Sequence, residues 1–165
     1  MNKEVLSLLV DNHSGVLTRV ASLFGRRGFN IDSLTVSATD NPAISRITIV
    51  VQGDEQIIEQ IVKQTDKLEE TREIFALDPN RSLFRELLLV KVAADETNRS
   101  AIREVATIYK AKIIDLCMES MVMELTGEPD KIDSFLDMMK GYQILEMCRT
   151  GITALERGEA HHSFN

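Results

Sequence analysis

The segments ITIVVQGDEQIIEQI (47–61) and MVMELTGEPDKIDSF (121–135) share one plan: an apolar strand, a glycine, an acidic helix start and an apolar helix face. Their glycines, Gly53 and Gly127, stand 74 residues apart (127 minus 53). A period that long describes a duplicated domain rather than a solenoid of small repeats. It also limits the fold, because each copy must bury the apolar faces of its own helices and strands. The 165 residues suffice for two units of a size that folds alone.

The segments around each copy complete the pattern. EVLSLLV (4–10) reads as a strand, and Val16, Leu17, Val20, Leu23 and Phe24 then make one helical stripe that stops at the glycines of GRRG. NIDSLTVSAT (30–39) and ISRITIVV (44–51) are strands on either side of a turn with Pro42. Asp54 opens a helix with Ile57, Ile58, Ile61 and Val62 on one side, and TREIFAL adds a last strand. That order is βαββαβ. ELLLVKVAA, a helix over 98–109, AKIIDLC, SMVMELT, a helix over 129–140 and ILEMCRT repeat it, with LDPNRSLFR as the break between the halves. The expected fold class is α+β: two tandem ferredoxin-like βαββαβ domains, each an antiparallel sheet with helices on one face. The expected bounds are 1–77 for the first domain, 78–84 for a linker, 85–158 for the second domain and 159–165 for a polar tail.

A fold of this kind hosts many functions, so the side chains must decide. A net charge of -7 argues against a surface built to attract phosphate backbones. Tandem RRM-like RNA-binding domains share the element order, but an RRM stacks bases on strand aromatics, and EVLSLLV, ISRITIVV, ELLLVKVAA and SMVMELT carry none. GRRG matches the GxxG pattern of KH modules, yet its glycines are accounted for by the helix-to-strand turn. No apolar run approaches the roughly 20 residues that span a bilayer and no signal-peptide layout is present, so no nucleic acid and no membrane are expected as partners, and the cytoplasm is the expected location. Catalysis needs positioned groups of tuned pKa. His13 reads as a solvated loop residue, and His161 and His162 as tail residues in solvent. Asp54, Glu55, Glu128 and Asp130 sit in first helical turns, where they favour the macrodipole. Cys117 and Cys148 are too isolated for a disulfide framework or a metal pair and read as buried thiols. No catalytic residue and no metal ligand is expected.

The stretch DNHSGVLTRV (11–20) is different. Asn12 or Ser14 is able to cap the helix, and Gly15 permits a tight turn. A strand-to-helix loop of small residues also leaves N–H groups pointing outward at the positive end of a helix, where a carboxylate fits. Asn12 offers donors and an acceptor, which suits the zwitterion of a free amino acid. In a ferredoxin-like sheet NIDSLTVSAT lies at an edge, and its unpaired backbone suits pairing with a second copy. Asn30, at the start of that strand, would then approach the Asn12 loop of the other subunit and close a pocket at the interface.

At these residues the sequence resembles the small, regulatory subunit of acetolactate synthase (acetohydroxyacid synthase), whose N-terminal part is an ACT domain. DNHSGVLTRVASLFGRRGFNIDSLTVSATDNPAISRITIVVQGDEQIIEQIVKQ carries the resemblance, and RELLLVKV, AKIIDL, ELTGEPDKIDSFL and ILEMCRTGITALERG extend it over nearly the whole chain. The resemblance implies a non-catalytic homodimer in branched-chain amino acid biosynthesis. It would activate a large catalytic subunit that carries thiamine diphosphate, Mg and FAD and condenses pyruvate with a second 2-keto acid. It would also pass on feedback inhibition by L-valine or a related branched-chain amino acid. The family's effector site falls on Asn12, Gly15 and Asn30, with His13, Ser14, Val16 and Leu17 supplying backbone groups and apolar lining and Ile31 close by.

Overall fold

The computed structural model describes residues 2–162. Residues 163–165, the end of the expected polar tail, and Met1 lie outside the described residues. Thirteen elements follow in chain order: β1 (Asn2–Asp11), α1 (Val16–Arg27), β2 (Asn30–Ala38), β3 (Ile44–Gly53), α2 (Glu55–Asp66), β4 (Thr71–Ala76), β5 (Ser82–Ala93), α3 (Arg99–Tyr109), β6 (Lys112–Leu116), β7 (Ser120–Gly127), α4 (Pro129–Met139), β8 (Ile144–Arg149) and β9 (Thr153–Glu156). They form two compact units. One runs to Leu83 and includes the chain from Ile152 onward; the other is Phe84–Gly151.

In the first unit the sheet order is β2-β3-β1-β4, and its strand pairs are antiparallel. Leu6 stands opposite Ile49 and Leu8 opposite Ile47, so the period-2 alternation puts these residues on one face. There they meet Val16, Val20 and Phe24 of α1 and Ile61 of α2. α1 ends where Gly28 takes a left-handed φ of 66° and donates to Gly25 O at 3.2 Å, as its sequence position implied. α2 begins at Asp54, whose Oδ1 accepts from Ile57 N at 2.9 Å. The second unit repeats this in the order β6-β7-β5-β8, with Leu88, Val90, Met123 and Leu125 of the sheet packed against Ile102 of α3 and Phe135 of α4. The ferredoxin-like architecture expected from the sequence is present in both units. Among the described residues no helix is long and apolar enough to cross a membrane.

One expectation is corrected here, that of the two cysteines. By its contacts the stretch 152–158 groups with the first compact unit. The reason is a set of contacts no periodicity records: Ile152 and Ala154 are buried, and Arg157 N donates to Arg81 O at 2.8 Å. Cys117 and Cys148 are exposed rather than buried. Cys148 pairs in register with the exposed Leu89, on the sheet face away from the helices, and Cys117 lies in the turn after the outermost strand β6.

The two repeat glycines differ in what surrounds them. A Cβ on Gly53 would meet Ile57 Cγ2 at 2.7 Å and Cβ at 2.9 Å, whereas one on Gly127 would meet the flexible end of Lys131, Cδ, at 2.8 Å. Gly53→Ala is therefore expected to destabilise by about 1–2 kcal/mol through overpacking, and Gly127→Ala, although Gly127 is also buried, to cost less, because the flexible Lys131 side chain can move aside. Equal midpoints for the two variants in urea unfolding would contradict this.

Candidate functional site

The loop between β1 and α1 is held at its first residue. Asn12 N donates to Ala43 O and Asn12 Nδ2 to Pro42 O, both at 2.8 Å, which ties the end of β1 to the β2–β3 turn. With the amide side chain engaged there, Asn12 does not cap α1, and neither does Ser14. The cap is Gly15, at φ 89° and ψ -13°, and its carbonyl accepts from Arg19 N at 3.0 Å. No side chain bonds to the first turn and no acidic residue lies in it, while Arg26 and Arg27 occupy the last. The N–H groups at the start of α1 thus face solvent at the positive end of the helix with no internal carboxylate beside them. The left-handed φ is what requires glycine at position 15.

The other expected residues divide by place. His13 is exposed, its Nδ1 3.2 Å from Ser14 O. Val16 is buried in the core and anchors the helix, so it does not line the loop with its side chain, whereas Leu17 is exposed. Asn30 starts β2 opposite Gln52, and Gln52 in turn stands opposite Lys3 of β1. Asn12 lies nine positions beyond Lys3 along β1, about 30 Å away at strand spacing. Within one chain the fold therefore sets Asn12 and Asn30 at opposite ends of the sheet. Ile31, next to Asn30, packs against the first unit's core.

The loop at the equivalent place in the second unit carries an acid of its own, although α3 likewise starts with no side-chain cap and no acid in its first turn. Asp95 Oδ1 accepts from Thr97 Oγ1 at 2.5 Å and Thr97 N at 2.8 Å. The side-chain hydrogen bond from Thr97, followed by that from its backbone, holds the Asp95 carboxyl below its ordinary pKa. In the first unit the nearest acid, Asp11, is committed instead to Arg72, whose Nε donates to it at 2.6 Å.

His162, expected in solvent, instead stacks on Phe75 with ring centroids 3.8 Å apart and planes 12° apart. Its Nδ1 lies 2.9 Å from Glu73 Oε1 and its Nε2 2.8 Å from Glu156 Oε1. Phe75, Glu156 and His162 line one side of a cleft of about 780 Å³ in the first unit, with Leu9, Arg46 and Pro42 on its other walls. The stretch around His162 has no periodicity, so only the partners of this ring on β4 and β9 reveal its place.

Comparison with known proteins covers both units. Residues 6–73 match the model of the AHAS small subunit-like ACT domain, and residues 85–158 match the model of the small subunit of acetolactate synthase. The chain is 46% identical over 156 residues to a probable acetolactate synthase small subunit of Archaeoglobus fulgidus, covering 94% of this chain and 98% of that one. It is 44% identical over 153 residues to the acetolactate synthase small subunit of Mycolicibacterium smegmatis, covering 93% of this chain and 90% of that one. The crystal structure of the acetolactate synthase small subunit from Thermotoga maritima superposes with a TM-score of 0.89 at 40% identity, covering 97% of this chain and all of that one.

Proposed function

Because this chain belongs to the acetolactate synthase small-subunit family, we propose that it activates the large catalytic subunit and passes on inhibition by L-valine bound between two of its ACT units. Thiamine diphosphate, Mg and FAD are left to the large subunit, and this chain is assigned no catalytic residue. The observation that carries the effector site is the start of α1, which has no side-chain cap and no acid in its first turn. An amino acid's carboxylate supplies the missing acceptor.

The sheet register supports an interface location. β2 is an outermost strand, and Asn30 at its start is remote from its own Asn12 loop. Antiparallel pairing of β2 with β2 of a second copy reverses the strand and brings the Asn30 end of each to the loop end of the other. The carboxylate would then meet the N–H groups of 13–17 and the ammonium would meet the side-chain carbonyl of Asn30, with Leu17 and Ile31 near the apolar side chain. Two such pockets follow from the two-fold axis. Binding favours the paired arrangement, and its effect on the large subunit is bounded by the effector's differential affinity for the two states. Valine and isoleucine differ by one methylene, worth about 0.8 kcal/mol of burial.

Incubated alone with pyruvate, this chain is expected to form no acetolactate; mixed with its large subunit it is expected to raise turnover, and L-valine to suppress the gain. Acetolactate formation by this chain alone, or stimulation indifferent to every branched-chain amino acid, would sink the proposal. A second expectation concerns stability. A ligand present at a hundred times its Kd stabilises the form that binds it by about 2.7 kcal/mol, roughly 5 to 10 °C in Tm for a chain of this size. L-valine should produce that shift and D-valine none; equal shifts from both enantiomers would count against a stereospecific pocket.

A further inference from the structure

The cleft of the first unit lies on the sheet face turned away from α1 and α2, and strand register sets its floor. Ser37 of β2 stands opposite Arg46 of β3, Arg46 opposite Leu9 of β1, and Leu9 opposite Glu73 of β4. That row crosses all four strands. Leu6, Leu8 and Val10 pack with the helices, so alternation puts Leu9 and its row on the other side. Arg46 and Glu73 therefore flank Leu9, about 10 Å apart at strand spacing. The buried Ala154 covers this face, and Gly158 and Ala160 continue the wall beyond it.

Arg46 is half-buried, and among the described residues its hydrogen bond is from Nη1 to Ala154 O at 3.3 Å. Arg19, Arg72 and Arg149 each hold a carboxylate, whereas Arg46 forms no ion pair among the described residues. A guanidinium has five N–H donors, and burying one without an anion leaves part of its desolvation cost uncompensated. Its planar fork fits a carboxylate through two parallel bonds.

The other walls define the rest of the ligand. Leu9 and Ile44 are buried apolar residues at the cleft, and Phe75, stacked on His162, lines the far side. A short apolar chain or a single ring spans the distance from Arg46 across Leu9 to Phe75. Asp40 and Glu156 also line the cleft, and Glu73 stands next to it, bonded like Glu156 to the His162 ring. These three carboxylates oppose a second negative charge on the ligand, which favours a monocarboxylate over a phosphate ester. The volume of about 780 Å³ falls within the range of about 300–1,000 Å³ typical of small-molecule sites.

We propose that this cleft is a small-molecule site, separate from the 12–15 loop, that takes a monocarboxylic acid with a short apolar or aromatic body and holds its carboxylate on Arg46. The proposal does not rest on the effector reading, since neither Asn30 nor any residue of 12–17 lines the cleft.

The test titrates the full chain with para-fluorophenylacetate, followed by fluorine NMR. Saturable binding is expected. The corresponding amide, which keeps the ring and loses the charge, should bind at least tenfold more weakly, and para-fluorophenyl phosphate should also bind more weakly than the acid. Arg46→Gln should weaken the acid at least tenfold, while Arg103→Gln, at an exposed position of α3, should leave it unchanged. Ser37→Glu guards against a folding defect in the first variant. Ser37 is exposed and directly across from Arg46, so the carboxylate it introduces occupies the guanidinium without touching the core, and binding should again fall at least tenfold. Saturating L-valine should leave the acid bound, and Asn30→Ala should leave its affinity unchanged even if the valine response is lost. No saturable binding, equal binding of acid and amide, tighter binding of the phosphate, or indifference to both Arg46→Gln and Ser37→Glu overturns the proposal. Displacement of the acid by L-valine also overturns it, by placing the acid at the effector loop.

Discussion

Asn30→Ala is expected to raise the L-valine concentration for half-inhibition of the reconstituted enzyme about 10- to 100-fold while activation survives. Hydrogen bonds to charged groups are worth about 1.5–3 kcal/mol, and each 1.4 kcal/mol is tenfold in affinity. Asn30 is exposed at the edge of its own chain, so its truncation leaves no buried group unsatisfied and adds no bulk. Gly15→Asp attacks the other side of the proposed pocket and should abolish inhibition outright, because it sets a like charge beside the effector's carboxylate. A Cβ at Gly15 meets nothing within 4 Å, but the φ of 89° strains any other residue. That strain costs about 1–2 kcal/mol, partly offset by the roughly 0.3–1 kcal/mol that an acid gains at a helix N-terminus. Gly15→Ala separates the two effects, since it carries the strain without the charge. It should fold about as well as Gly15→Asp and keep more of the valine response. Full inhibition of a well-folded Asn30→Ala enzyme at the wild-type valine concentration would move the effector site elsewhere.

Arg149→Ala is expected to destabilise the second unit by about 3 kcal/mol, the low end for breaking a largely buried ion pair. Glu86 is 6% exposed at its side chain and Arg149 25%. Arg149 Nη2 donates to Glu86 Oε2 at 2.5 Å and Nη1 to Asp133 Oδ1 at 2.6 Å, joining β5, β8 and α4. Burial works against the charged guanidinium, but the hydrogen bonds to Glu86 and Asp133 outweigh it and hold Arg149 above its ordinary pKa. Being raised, the part that depends on the charge of Arg149 is lost only as pH rises above the ordinary arginine value, so the guanidinium stays charged throughout the neutral range. Removing the arginine leaves Glu86 buried and unpaired; the double change Glu86→Leu with Arg149→Met removes both charges and should recover most of the loss. Urea midpoints for the single and double variants test this, and equal loss in both would show that packing rather than the pair is at stake.

Much of this architecture was legible because burial imposes a period. Leu6 and Leu8, Ile47 and Ile49, and the α1 stripe of Val16, Val20 and Phe24 all face one core, and alternation or 3.6-residue spacing records that face whatever else the chain does. The repeat was equally legible, since both units solve the same burial problem with the same order of elements. The residues of the 12–15 loop also stood out, because small residues between a strand and a helix have few structural reasons to occur together.

The cap was misread on chemistry alone: Asn12 and Ser14 have capping side chains, but a contact with Pro42, 30 positions away, claims Asn12. Exposed Cys148 follows from the register with Leu89, and the place of His162 from its stacking on Phe75. None of these leaves a periodic trace. Local spacing was enough to say which faces are apolar, how many units they make and where the helices start and stop, because each of those is settled among near neighbours in the chain. It could not say that Asn12 is held by the β2–β3 turn or that the segment from Ile152 joins the first unit. Those follow from long-range contacts, in which groups far apart in the chain compete for the same neighbours.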